Sequence, residues 1–322
     1  MIDVRWFAPN RFAALVVPRL RQLGLTIATE DDAPARLALA MSGTVAERAW
    51  RYAAARACPL VLYVWDLPPW RTGGGRPDPV WWVLGRFFVR LPRLRGAYRE
   101  RRGYYSRLRL IAARARAVWA PSALTAASVT AQFAVPCRRV PYCYDSDRFR
   151  PLDSERPGPS HLLSVSRLQP AKNQQAVIRA ARQLRPSLAV RLIGRGPDEA
   201  DLRRLAAELG VECSIESGLS DAEIVSAYRL ASVAVCPSRF EGFGLSPIEA
   251  IACGTPVVAS GISPHREFVD GAARFFSLDD EPALVAAIAA ALAGPPPDPA
   301  AVRDLTIEAA AGRFHAALAE LL

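Results

Sequence analysis

At 322 residues, 51% of them hydrophobic and 22% charged, the chain is long enough for two globular domains and too apolar for intrinsic disorder. No 18-residue apolar window is free of charge, which argues against a membrane-spanning helix. The six cysteines form no CxxC pair, which argues against a structural zinc site or disulfide scaffold and for a reducing compartment. The net charge of +10 is unevenly spread: residues 1–160 hold 26 basic and 12 acidic side chains, residues 161–322 hold 15 and 19, so the two halves are expected to meet different partners. Met1 to Asn10 shows no charged-then-apolar leader, so no secretory signal is predicted and a cytoplasmic location is expected.

In chain order, Ile2 to Ala8 reads as a strand and Phe12 to Leu23 as a helix stopped by Gly24. Leu37 to Met41 and Leu60 to Tyr63 follow as short buried strands, with a helix over Ala46 to Ala57 between them. This alternation predicts a parallel sheet with helices on both faces. Asp66 ends the second of those strands, before the loop LPPWRTGGGRPDP. Ligands of open α/β sheets bind at the carboxyl ends of strands, which makes Asp66 a candidate to orient or deprotonate an attacking hydroxyl. A simple turn before Pro68 is the competing reading.

Residues 81–116 then carry eleven arginines and one glutamate, interleaved with Trp81, Trp82, Phe87, Phe88, Tyr98, Tyr104 and Tyr105. Such a stretch suits an anionic membrane surface, where each arginine contributes roughly 1 kcal/mol before screening. It also fits a nucleic-acid surface or an ordinary solvated face. Ala117 to Pro121 reads as the next strand, with Ser122 capping a helix.

In the second half, the strand Leu162 to Val165 leads through Ser166-Arg167-Leu168-Gln169-Pro170-Ala171-Lys172 into a helix over Gln174 to Leu184. Lys172 is the single lysine among 41 basic residues, and a compact ammonium is not replaced by a guanidinium. With Arg167 it offers two cations at a strand end, able to clamp a diphosphate. The strand Ala189 to Ile193 ends in a turn with Gly194 and Gly196, before a helix over Glu199 to Leu209. Cys213 to Glu216 leads to Gly218 and Leu219, and Ser220 caps a helix over Asp221 to Leu230. The apolar run Ala231 to Cys236 then delivers the stretch PSRFEGFGLSPIEAIACGTPVV. Gly242 and Gly244 bracket Phe243, and a helix is predicted from a Ser246 cap and Pro247 to Cys253. A helix start fed by a glycine loop is an anion seat. Glu241 and Glu249 frame it and suit a ligand with hydroxyls on both sides of a diphosphate. His265 reads as a loop residue, the stretch after Glu281 as a packed helix, and about Val302 to Leu322 as the last helix.

Glu241 and Glu249, with seven residues between them around Gly242-Phe243-Gly244, resemble the signature of the retaining GT-B glycosyltransferases of family 4, the glycosyl transferases group 1. Arg167 and Lys172 match that family's Arg-x-x-x-x-Lys, Gly194 to Pro197 its Gly-x-Gly-Pro turn, and Glu267 its later glutamate. Pro141, Asp145, Phe149 and Pro151 match its interdomain segment, with Cys143 where the family has glycine. The resemblance implies two Rossmann-like domains facing across a cleft: an acceptor domain over 1–155, a nucleotide-sugar domain over 156–300, and a helix over 301–322 packing back on the first. It implies a hexose transferred with retention from a UDP- or GDP-linked donor to an acceptor hydroxyl on a lipid-linked glycan or glycolipid at the inner membrane face. Glu241 would hold the sugar hydroxyls, Glu249 the ribose, and Arg167 and Lys172 the leaving diphosphate. The amides of Gly242, Phe243, Gly244 and Leu245 would lie near sugar and diphosphate, and Gly194, Gly196, Gly218 and Leu219 near the nucleotide. No metal and no cofactor beyond the donor is expected. Two departures stand out: Pro9-Asn10-Arg11 lacks the family's glycine pair, and residues 1–160 contain no histidine, which leaves Asp66 for the acceptor side. A soluble natural-product glycosyltransferase, a non-catalytic descendant and a nucleic-acid-binding descendant are the alternative readings.

Overall fold

The computed structural model describes residues 2–7, 11–29, 34–67, 103–151, 161–184 and 188–322. The readings on Pro9-Asn10, on the loop after Leu67, on residues 81–102 and on 152–153 fall outside them. The chain divides into two compact units, Met1–Tyr142 with Ala310–Leu322, and Cys143–Ala309. The division therefore falls at Tyr142 rather than at residue 155.

The first unit is built on a six-stranded parallel sheet of order β2-β1-β3-β4-β5-β6. Its strands are β1 (Ile2–Phe7), β2 (Ile27–Ala28), β3 (Ala35–Ala40), β4 (Leu60–Tyr63), β5 (Ala117–Ala120) and β6 (Arg138–Arg139). β1 pairs with β3 through Val4↔Leu37 and Trp6↔Leu39, and β3 with β4 through Leu39↔Val61. All four residues of β4 are buried, as a strand covered on both faces requires. Helices α1 (Arg11–Gln22), α2 (Gly43–Arg56), α3 (residues 103–112) and α4 (Ala123–Phe133) lie between the strands. α2 buries Ala46, Ala49, Tyr52 and Ala53 at helical spacing, and the Ser122 hydroxyl caps α4 by accepting the Thr125 amide at 3.2 Å.

The second unit repeats the plan with the order β12-β11-β10-β7-β8-β9. β7 (His161–Val165), β8 (Ala189–Ile193), β9 (Cys213–Glu216), β10 (Val233–Cys236), β11 (Val257–Ser260) and β12 (Arg274–Phe276) alternate with α5 (Gln175–Gln183), α6 (Glu199–Leu209), α7 (Asp221–Leu230), α8 (Leu245–Ala252), α9 (Ser263–Val269) and α10 (Glu281–Ala293). Leu162, Leu192, Val233, Val235 and Val258 from the sheet meet Ile178, Leu202 and Ile288 from the helices in one core. The strand order reverses between β7 and β10, and a crevice opens outside the carboxyl ends of strands at such a switch point. The loops carrying Arg167 to Lys172 and Glu241 to Gly244 both leave the sheet there.

Two boundaries differ from the sequence reading. α8 starts at Leu245, because Gly244 turns left-handed at φ 92° and takes the cap position assigned to Ser246. The Ser246 hydroxyl instead donates to the Val165 carbonyl at 2.7 Å, tying the helix start to β7. The final helix is broken: a 3-10 segment, Pro299–Leu305, ends at extended Thr306, whose hydroxyl accepts the Ala309 amide and opens α11 (Ile307–Ala319). Among the described residues no helix is long and apolar enough to cross a membrane.

Phe314 of α11 is fully buried in the first unit, with ring centroids 5.2 Å from Phe12, 5.7 Å from Tyr63, 5.9 Å from Trp119 and 6.1 Å from Trp6. Removing an aromatic ring from such a core leaves a cavity and costs about 3–5 kcal/mol. Phe314→Ala is expected to lower the urea midpoint of the first unit accordingly, and a loss under about 1 kcal/mol would show the terminal residues to be dispensable.

Candidate active site

The loop after β7 is held in place by backbone. Ser166 N donates to Ile193 O at 3.0 Å, and Leu168 N to Arg195 O at 3.0 Å. This crossing leaves no room for side chains on the next turn. A Cβ on Gly194 would lie 1.9 Å from Ser166 O, and one on Gly196 would lie 2.0 Å from Leu168 O. The two glycines of the Gly-x-Gly-Pro turn therefore carry the loop that bears Arg167 and Lys172. Gln174, buried, donates its amide to the Arg167 carbonyl at 2.9 Å and fixes the loop from the other side.

The loop after β10 is stitched to the first. Arg239 N donates to Ala171 O at 2.8 Å, and the Asn173 side chain to Pro237 O at 3.3 Å. These bonds bring the lysine to the first glutamate: Lys172 Nζ lies 2.5 Å from Glu241 Oε1, with the side chains 13% and 17% exposed. The same oxygen accepts the Ser238 hydroxyl at 2.7 Å. Lys172 retains further N–H donors and the carboxylate its second oxygen, so each can still meet a ligand. Arg167 is exposed and makes no ion pair among the described residues.

Glu249 sits within α8 and is half-buried, with the Tyr228 hydroxyl 3.3 Å from its Oε2. Burial, reinforced by the Glu249 charge, raises the Tyr228 phenol well above its usual value, so it is a proton donor to Glu249 at any working pH. Phe243, in contrast, points inward: it is 2% exposed, and its ring packs tilted against Phe268 with centroids 4.4 Å apart. Its backbone, not its ring, is what the loop offers. Val165, Gly194, Arg195, Ser217, Gly218 and Leu219 line a cavity of about 230 Å³ beside the loop. Gly218, at φ 77° with nothing within 4 Å of its absent Cβ, leaves the backbone of that edge open.

Asp66 belongs to the first unit, where it is half-buried after β4. Ser238, Ser260 and His265, all buried beside Glu241, were not candidates in the sequence. The Ser260–Ser238 contact joins residues 22 positions apart, which local spacing does not reveal, although Ser238 lies three residues before Glu241 and His265 five after Ser260. The one available signal was the small hydroxyl residue directly after β10 and at the end of β11.

Comparison with known proteins places the chain in a family. The model of the family described as glycosyl transferases group 1 matches residues 146–307, half of the chain and nearly the whole of the second unit. The chain belongs to this family. Among relatives in it, D-inositol 3-phosphate glycosyltransferase 1 of Catenulispora acidiphila is 34% identical over 192 residues, covering 52% of this chain and 46% of that protein. The chain spans less than half the length of the curated relatives it matches. HepE of Anabaena, solved with UDP and glucose, superposes with a TM-score of 0.69 at 15% identity over the full length of both chains. Sucrose-phosphate synthase of Thermosynechococcus elongatus gives 0.68 at 17% identity, over 100% of this chain and 95% of that one. At these identities the likeness establishes the GT-B fold, two parallel six-stranded sheets with their helices.

The glycine crossing gives a test. Gly194→Ala is expected to destabilise the second unit by about 2 kcal/mol or more, because carbonyl backbone must move. Gly210→Ala, also left-handed at φ 63° but with open space at its Cβ, is expected to cost only about 1 kcal/mol in the same urea titration. Equal costs would mean that the crossing is not tight.

Proposed function

We propose that the chain is a retaining glycosyltransferase that moves a hexose from a UDP- or GDP-linked donor to an acceptor hydroxyl, with the acceptor carried on a lipid at the membrane surface. The observation that carries the reading is the Lys172–Glu241 pair at the switch point, beside Arg167 and the N-terminus of α8. A diphosphate leaving group needs positive charge where its own charge grows. Lys172, Arg167 and the unpaired amides at the start of α8 supply it without a bound metal. Glu241, with Oε1 occupied by Lys172 and Ser238, accepts donor-sugar hydroxyls on Oε2. Glu249, oriented by Tyr228, accepts the ribose hydroxyls, and the nucleotide base rests in the cavity beside Gly218 and Leu219. Asp66 orients the acceptor hydroxyl. Retention then follows a front-face route in which the departing phosphate takes the acceptor's proton. HepE, which binds UDP and UDP-glucose in a similar fold, supports a nucleotide-sugar donor.

The membrane part of the reading rests on charge. Within the described part of the basic stretch, Arg109, Arg114, Arg116 and the 56%-exposed Leu110 face solvent. Basic and apolar side chains presented together favour an anionic lipid surface on the cytoplasmic side.

Lys172→Ala and Glu241→Ala are each expected to cut release of UDP or GDP from the donor by about 100-fold or more while leaving the circular dichroism of the protein unchanged. Lys172→Arg is not expected to restore the rate. Wild-type turnover in a folded Lys172→Ala protein would sink the assignment.

A further inference from the structure

His265 takes no part in the reaction proposed above, yet it is 1% exposed and pressed against the turn that opens α8. A Cβ on Gly244 would lie 2.9 Å from its Cδ2 and 3.3 Å from its Nε2. Its Nδ1 stands 3.0 Å from the Ser260 carbonyl, which can only accept, so Nδ1 carries a proton. Nε2 is buried without a partner and in the neutral ring is a bare lone pair.

From this ring a buried chain of bonds leads to the lysine–glutamate pair. The Ser260 hydroxyl donates to the Ser238 carbonyl at 2.5 Å, and the Ser238 hydroxyl donates to Glu241 Oε1 at 2.7 Å. Ser260 and Ser238 are 0% and 4% exposed, so water does not compete with these bonds. The geometry points to His265 as a positioning residue for Glu241, acting in its neutral form through Ser260 and Ser238. The inference rests on the role given to Glu241 in the proposed reaction.

The charged groups facing the ring are Glu241, from the loop after β10, and Lys172, from the turn after β7. On its own helix, Arg266 is exposed and held by the Gly261 carbonyl, and Glu267 is half-buried. Burial lowers the imidazole's pKa, Glu241 and the Ser260 carbonyl oppose this, and Lys172 adds to it. The folded state therefore binds the proton less readily than the unfolded chain. Stability is intact above the unfolded value of about 6.5 and is lost as pH falls through the lower folded value. A proton on Nε2 also sets a second cation against Glu241, in competition with Lys172.

The test uses the full chain with UDP-glucose and GDP-mannose as probes. Ring nitrogen NMR of the three histidines is expected to find His265 as the Nδ1–H tautomer at pH 7, titrating below the ordinary histidine range. His265→Asn, which keeps a donor near Nδ1, is expected to retain nucleotide-sugar affinity and to lose the acid limb of the rate profile. His265→Phe, which fills the space without a donor, is expected to bind the nucleotide sugar about tenfold more weakly while binding the bare nucleotide diphosphate as wild type does. In urea unfolding, His265→Phe and Glu241→Gln are expected to be non-additive. A doubly protonated ring at pH 7, wild-type sugar affinity in His265→Phe, or additive stabilities would overturn the inference. If neither nucleotide sugar binds the wild type, the proposed donor reaction fails by itself, and the tautomer and the urea cycle still judge His265.

Discussion

The contact between Lys172 and Glu241 organises the second unit's functional edge. Neither charge is fully solvated, so each needs the other: removing one leaves a partly buried ion without its counter-charge. The pair spans the two strands where sheet order reverses, and its 2.5 Å separation depends on the backbone bonds that join the loops after β7 and β10. Those bonds depend in turn on Gly194 and Gly196, which let the first loop lie directly on the neighbouring turn. The ammonium of Lys172 and the carboxylate of Glu241 are thus fixed by backbone rather than by side-chain packing.

This dependence explains why the second half was the more readable. β8, α6, β9 and α7 have the bounds expected from sequence, because each end carries a local instruction: Gly194 after β8, left-handed Gly210 after α6, and the reciprocal Ser220–Glu223 capping box before α7. β2, β6 and β12 were not legible, since two or three residues are too few for an apolar period to show. The start of α8 was displaced because a serine before a proline is the usual cap signal, whereas here a glycine at φ 92° supplies the turn and the serine hydroxyl is spent on β7.

At the site itself, the sequence yielded the residues that a family signature marks and the physical reason for each. It did not yield the layer beneath them. Phe243 lies between two glycines, yet its ring packs inward on Phe268, next to the left-handed turn at Gly244. His265 read as a loop residue, but Ser263 and Pro264 start a short helix there that drives the imidazole into the core. Contacts of this kind are tertiary and have no trace in residue spacing.

The two units differ in what constrains them. In the second, glycines and buried hydroxyls fix the geometry around the Lys172–Glu241 pair, within the residues 146–307 that the family match covers. In the first, the sheet is held by an aromatic cluster gathered on Phe314. An aromatic core tolerates exchange of one large apolar residue for another of similar volume. A turn at φ 152° against a carbonyl does not tolerate exchange of its glycine. The turns that fix the Lys172–Glu241 pair lie within residues 146–307, the part of the chain that the family match covers.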